Sequence, residues 1–347
     1  MDINLLSETT ARKLCQLIAD AQHIVITCHK SPDGDALGAS LAWADYLVQQ
    51  CDKQVSVVVP DAYPDFLRWL PNSEKIIRYD RHHDEVCDLF AKADLVFCVD
   101  FNDASRVDEM EPVLTSATAR RVMLDHHLNP TTEGMDIVVS HPELCSASEV
   151  VFRVIWQLGG FEAMTHHCAT QIYCGMMTDT GGFTFNSTRP EIFFIIGQLL
   201  TKGIDKDKIY RNVYNNYSCW ALRLRGYLIS QKLNYFDDFH ASYFTITRQD
   251  MARFHFIKGD AEGLVNEPLR IKGMKLSVSL REDDRRDNLV WVSLRSVDDF
   301  PCNEVAKAFF NGGGHLNASG GRLYCSIAEA EKITRQAFIH FEQLLKK

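Results

Sequence analysis

Four short stretches of this chain carry aspartates, two of them together with histidines, at spacings suited to metal ions. The first, HKSPDGDALGAS, carries His29, Asp33 and Asp35. Gly34 allows a tight turn between the two acids, and Gly38 and Ala39 keep the following helix slim enough for a ligand to approach. The second places Asp100 at the end of LVFCVD, with Asn102, Asp103 and Arg106 behind it. The third is Asp125-His126-His127, directly after RVML. The fourth is Asp179 in GMMTDTGGF, at the end of a predicted helix, where the dipole disfavours a lone carboxylate and calls for positive charge nearby. Singly, each has a plain structural reading as a turn or a cap. His-His pairs also recur at His82-His83 and His166-His167, so the strand in front of the third is what sets it apart. Together the four supply imidazoles and carboxylates and no cysteine, a donor set suited to Mn²⁺ or a similar divalent ion rather than structural zinc. Two such ions about 3.5 to 4 Å apart, bridged by a carboxylate, hydrolyse phosphoesters by activating a hydroxide held between them while both neutralise the developing charge.

The elements that must position these groups follow a simple alternation. His23–Thr27, Gln54–Val59, Leu95–Asp100 and Arg121–Asp125 read as strands, with a helix from Ala36 to about Gln50 between the first two. That order predicts an α/β fold: a parallel sheet with helices on both faces. Each polar cluster falls just after a strand, where open α/β sheets hold ligands. Ser148–Leu158 and His166–Met177 read as helices, and Lys206 to about Tyr235 as a helical connector. Beyond it, Tyr243–Thr247, Lys275–Leu280 and Val290–Arg295 read as strands, and Glu304–Phe310 and Ile327–Leu345 as helices. The expected organisation is a metal-binding domain over residues 1–200, a connector over 201–236, and a smaller α/β domain with a mixed sheet over 237–347.

Composition narrows the function. With 46% hydrophobic and 24% charged residues, the 347-residue chain can build real cores, and its length suggests two domains. Its formal charge is -9, and residues 237–347 are balanced with 16 Lys/Arg and 16 Asp/Glu, so the whole excess of acid lies in the first part. No basic run is present to track a long duplex. Eleven cysteines, odd in number and without a CxxC pair, point to reduced thiols. The start MDINLLSETTARKL lacks the features of a signal peptide, and no apolar run approaches the roughly 20 residues of a membrane helix. The expectation is a cytoplasmic protein with no membrane partner.

In their order, HKSPDGDALGAS, VDFNDASRV, LDHH and MMTDTGGF resemble the four motifs of the DHH phosphoesterases. VSLRSVDDFPCNEVAKAFFNGGGHLNASGGRL resembles the associated C-terminal domain of the branch that includes nanoRNases and cyclic-dinucleotide phosphodiesterases. The resemblance implies two divalent cations, Mn²⁺ favoured over Mg²⁺ or Co²⁺. One would be held by His29, Asp33 and Asp100, the other by Asp35, Asp100, His126 and Asp179, with Asp100 as bridge. It implies that His127 meets the scissile phosphate or protonates the leaving oxygen, while Asp125 orients the histidines. In the second domain, the glycines of Asn311-Gly312-Gly313-Gly314-His315 could expose successive N–H groups as an anion nest, with His315 as a further donor. Arg295 can grip a phosphate or stack on a base, assisted by Ser296. Asn311 and Ser319 stand where the family often has glycine and alanine.

These features imply hydrolysis of short oligoribonucleotides, linear dinucleotides included, to 5′-mononucleotides, with 3′-phosphoadenosine 5′-phosphate (pAp) as a second substrate and a homodimer as one possible assembly. The alternatives are a soluble cyclic-di-AMP phosphodiesterase, an exopolyphosphatase, and, in another class, a catalytically inactive nucleotide-binding regulator.

Overall fold

The computed structural model describes residues 2–257 and 259–347. They divide into two compact units, one ending at Asn216 and the other spanning Tyr217–Lys347.

The first unit runs α1 (Glu8–Asp20), β1 (His23–Thr27), α2 (Gly34–Cys51), β2 (Gln54–Val59), β3 (Ile77–Arg78), α3 (His83–Lys92), β4 (Leu95–Val99), α4 (Glu111–Ser116), β5 (Arg120–Asp125), β6 (Ile137–Ser140), α5 (Ala147–Gln157), α6 (His166–Asp179), α7 (Pro190–Thr201) and α8 (Lys206–Tyr214). Its strands form one sheet in the order β3-β2-β1-β4-β5-β6, parallel at every pairing. Buried strands with apolar residues at every position are what a sheet covered on both faces requires. In β4, Leu95, Phe97 and Val99 join the core beneath α1, α2, α5, α6 and α7. Val96 and Cys98 join the opposite core, with Val86 and Phe90 of α3 and Leu114 of α4. The expected fold class holds. Two edge strands, β3 and β6, add to the four that were expected; both are short, and their sequences carry too few residues to show a period.

The second unit runs α9 (Cys219–Tyr227), β7 (Asn234–Phe236), β8 (Ala241–Ile246), α10 (Arg248–Arg253), β9 (Leu276–Glu282), β10 (Val290–Ser296), α11 (Cys302–Phe309), β11 (Gly313–Gly314), β12 (Ala318–Leu323), α12 (Ile327–His340) and α13 (Glu342–Leu345). Its sheet has the order β11-β12-β10-β9-β8-β7 and is mixed, with β8 and β9 parallel and the other pairs antiparallel. Val278, Leu280, Val292 and Leu294 turn to the core under α11 and α12. On the other face Phe244 and Ile246 of β8 pack with Leu224, Met251 and Leu264.

The stretch Lys206–Tyr235 is not one helical run. It breaks between α8 and α9, where Ser218 accepts the Ala221 N–H and starts a new helix, and it ends in strand β7. Asn and Ser side chains bond local backbone readily, and such residues at 215, 216 and 218 end one helix and begin another. Among the described residues no helix is long and apolar enough to cross a membrane.

Candidate metal centre

β1 and β4 are sheet neighbours although β2 and β3 lie between them in sequence. α2, after β1, packs on one face; Val107 and Met110, after β4, pack on the other. Such a reversal opens a crevice at the carboxyl ends of the strands. His29 follows β1 there, Asp100 follows β4, and His126 and His127 follow β5. Asp33 caps α2, its Oδ1 accepting the N–H groups of Asp35 and Ala36 at 3.0 Å each. Asp100 sits at φ 62°, a left-handed conformation uncommon outside glycine, and its N–H donates to Leu124 O at 3.0 Å.

That turn aims the two oxygens of Asp100 in different directions. Oδ2 lies 3.4 Å from His29 Nε2 and Oδ1 lies 3.5 Å from His126 Nε2. His29 Nε2 is also 3.9 Å from Asp33 Oδ2. His126 Nε2 is 3.5 Å from Asp179 Oδ2 and 3.9 Å from Asp35 Oδ2. The six expected ligands therefore gather as two half-sites, His29/Asp33/Asp100 and Asp35/His126/Asp179, with Asp100 touching both. Both histidines turn Nδ1 to a backbone carbonyl, His29 to Lys30 O at 2.8 Å and His126 to Leu144 O at 3.3 Å. With Nδ1 protonated toward those carbonyls, Nε2 is the nitrogen presented inward.

The electrostatics fit cations. Burial opposes charge on Asp100, but the facing imidazoles of His126 and His29 outweigh it and hold this carboxyl well below the ordinary range. Against burial, the same pairing lifts His29 to about 9 and His126 well above its usual value. Asp35 is pushed well up by burial and by the charges of Asp100 and Asp179. Asp179 is pushed up to about 6 by burial, against the pull of His126 and with the push of Asp33 and Asp100. Oδ1 of Asp100 is buried and receives no hydrogen bond. Four acids around two imidazoles, with a bare carboxylate oxygen at the centre, match the donor chemistry of a divalent-cation pair, whose binding would displace protons from the histidines.

His127 is held differently. Its Nδ1 is 2.8 Å from Asp125 Oδ1, and its N–H donates to the other oxygen at 3.0 Å. Asp125 is fully buried and so fixes the ring and its tautomer.

Sequence reasoning missed what orients Asp35. Its carboxylate accepts the N–H groups of Ala147 at 2.6 Å and Ser148 at 2.9 Å, the first turn of α5. Ser146 caps that helix by accepting the Glu149 N–H. Buried Glu149 accepts the Cys145 N–H at 2.8 Å and pairs with Arg153 and Arg189, each at 2.6 Å. The pattern Ser146-x-x-Glu149 is a helix-start signature that the sequence displays. The glycines also serve a different purpose from the one expected. A Cβ on Gly38 would meet Gln171 O at 2.6 Å, and one on Gly175 would meet Ser148 Oγ at 1.9 Å. Gly38 thus lets α2 and α6 approach each other, rather than clearing a path for a ligand.

In the second unit the structure separates residues that the sequence places side by side. Arg295 and Ser296 alternate across β10. Ser296 is buried, donating to Phe300 O at 2.7 Å and accepting from Asn317 Nδ2 at 2.9 Å, so its hydroxyl holds a loop and is not an open ligand group. Arg295 points to the opposite face. The Gly312–Gly314 turn is not an open nest either: among its glycines only Gly314 has positive φ, Gly312 N–H donates to Ala306 O, and Gly313 and Gly314 pair with β12. Gly312 is needed for contact, since a Cβ there would lie 1.9 Å from Gly320 O. The N–H of His315 donates to Ala318 O at 2.8 Å.

Comparison with known proteins agrees with this geometry. The DHH family N-terminal domain matches residues 23–176, and the DHHA1 domain matches residues 243–340. The bifunctional oligoribonuclease and PAP phosphatase NrnA of Thermus thermophilus is 28% identical, over 91% of this chain and 92% of its own length. The cyclic-di-AMP phosphodiesterase GdpP of Geobacillus thermodenitrificans is 26% identical over 93% of this chain but only 48% of its own length. The crystal structure of an exopolyphosphatase-related protein from Bacteroides fragilis superposes with a TM-score of 0.92 at 47% identity, covering 98% of each chain. Its two domains matched in order and its six acid and imidazole groups gathered at the strand ends, the chain belongs to the DHH family of metal-dependent phosphoesterases.

Proposed function

We propose that this protein hydrolyses short oligoribonucleotides, linear dinucleotides included, to 5′-mononucleotides, and also removes the 3′-phosphate of pAp. The observation that carries the chemistry is Asp100, which turns one oxygen to each half-site. His29, Asp33 and Asp100 would hold one divalent cation and Asp35, Asp100, His126 and Asp179 the other, with Mn²⁺ favoured by the mixed oxygen and nitrogen donors. Bound there, the cations would neutralise phosphoryl oxygens and lower the pKa of water. His127, fixed by Asp125 through Nδ1, offers Nε2 to protonate the leaving oxygen as the P–O bond breaks. Similarity to the Thermus enzyme over nearly the full length of both chains supports the choice of substrate. Eleven free cysteines support a cytoplasmic setting.

A second reading, a cyclic-di-AMP phosphodiesterase, is favoured by the similarity to the Geobacillus protein across the same two domains. One experiment separates the readings. Metal-stripped protein, restored with Mn²⁺, receives pApA, pAp, cyclic-di-AMP and polyphosphate in parallel. Mononucleotide from pApA is the expected result. Turnover confined to the cyclic dinucleotide would overturn the first reading in favour of the second, and turnover confined to polyphosphate would overturn both.

A further inference from the structure

Residues 208–236 contain no acid, although the whole chain carries 46 Asp and Glu against 37 Lys and Arg. They hold five cations and seven aromatic residues. From Tyr217 onward this stretch belongs to the second unit. There Trp220, Arg223 and Tyr227 of α9 fall at i, i+3 and i+7, along one stripe of the helix. Ala221 and Leu224 take the buried side, and Trp220 stays 40% exposed. The Arg223 guanidinium lies over the indole, 5.1 Å from its centre, and the His255 ring meets the same indole at 4.7 Å and 62°. At the other end of the stripe Tyr227 packs on Phe254, and Arg253 lies over the Tyr227 ring at 5.0 Å. Phe254 and His255 follow directly after α10, so one short piece of chain touches both ends of the stripe.

Only part of the positive charge here is taken up within the fold. Arg225 donates to Tyr217 Oη and to Glu262 O, and Lys232 pairs with Asp250 at 3.3 Å. Arg223 and Arg253 are exposed, and neither guanidinium has an ion pair or a hydrogen bond among the described residues. Exposed rings beside unpaired, planar cations offer stacking and charge together. An acidic peptide would answer the cations alone, and an apolar one the rings alone. A single-stranded nucleic acid answers both, because each nucleotide brings a flat base and a phosphate, whereas a duplex keeps its bases stacked on one another. We propose that this stripe is a platform for single-stranded RNA, on which bases stack at Trp220 and Tyr227 while Arg223 and Arg253 meet the phosphates. Its use during turnover rests on the oligoribonucleotide reading; its affinity for a single strand does not.

The test is fluorescence anisotropy of the full chain in chelator, so that no strand is cut, with labelled deca-adenylate and an abasic strand of equal length and charge. Kd for deca-adenylate should rise about fivefold or more in Trp220→Ala, with Trp220→Phe close to the wild type and the abasic strand bound equally by all three. Arg223→Gln should weaken both strands and lower the slope of log Kd against log salt by about 0.7. An unchanged Kd for deca-adenylate in Trp220→Ala, or equal weakening of both strands, would overturn the platform. Should Trp220→Ala fail to fold, Arg223→Gln decides, and an unchanged salt slope counts against the proposal. Turnover of pApA is scored separately. Strand binding that depends on Trp220 in a protein that cleaves no pApA keeps the platform and sinks the oligoribonucleotide reading; cleavage of pApA without such dependence does the reverse.

Discussion

Asp125 acts through His127. Because it accepts from Nδ1 and from the backbone N–H of the same residue, it sets the tautomer of the ring. Asp125→Asn should keep the packing but let the amide donate to Nδ1 and reverse the tautomer. Turnover of pApA is then expected to fall by about 10- to 100-fold with Mn²⁺ content unchanged, which steady-state rates and elemental analysis would check. Glu149 illustrates a different dependence. Burial raises its pKa, but the Cys145 N–H, Arg189 and Arg153 outweigh it and hold the group low. A carboxyl depressed in the folded state contributes stability that is complete above the unfolded pKa and is lost as pH falls through the folded one. The wild type should therefore lose stability as pH drops below about 4.5, and Glu149→Gln should flatten that slope. At neutral pH the variant should be less stable by about 3 kcal/mol, because Arg153 and Arg189 lose their buried partner. Urea melts across pH would measure both effects.

At the scale of elements, two helical glycines make opposite predictions. Gly175→Ala forces a methyl to within 1.9 Å of Ser148 Oγ and 2.8 Å of Asp35 Oδ1, so α6 must withdraw from α2 and α5. The cost should be about 1 to 3 kcal/mol, with weaker Mn²⁺ binding as Asp35 moves. Gly197, on α7, has open space around it, and a methyl there would meet nothing within 4 Å. Gly197→Ala should stabilise by about 0.5 to 1 kcal/mol through helix propensity and leave metal binding alone. Thermal melts and Mn²⁺ titrations of the pair would decide. The same elements show what could be read in advance. His23–Thr27 and Leu95–Val99 are legible as strands because every residue but His23 is apolar or β-branched, and the acids behind them are legible as a site because strand ends in α/β sheets converge. The grip of α5 on Asp35 is not legible, since it joins residues over a hundred positions apart. Gly38 and Gly312 were open to misreading for a different reason: a glycine that lets two parts of the chain pack closely is indistinguishable in sequence from one that admits a ligand or exposes its N–H to an anion. Arg295 and Ser296 were paired by adjacency, although strand geometry sends neighbours to opposite faces.

For the whole molecule, charge divides at residue 236 and packing at residue 216. The net -9 resides in residues 1–236, and two dications would offset nearly half of it. Each hydrophobic cluster is drawn from a single unit, two from the first and two from the second. Calorimetry should accordingly show two transitions. Mn²⁺ at a hundred times its Kd should raise the stability of the first unit by about 2.7 kcal/mol without moving the second transition, and a chelator should reverse the change. A single transition, or equal movement of both, would show that the units melt as one. Separate cores also bear on descent. A crossover within the short segment between α8 and α9 would leave every cluster of buried side chains intact. Recombination there could join the same metal-site half to a different second half, so that a lineage exchanges one module while the other passes down unaltered.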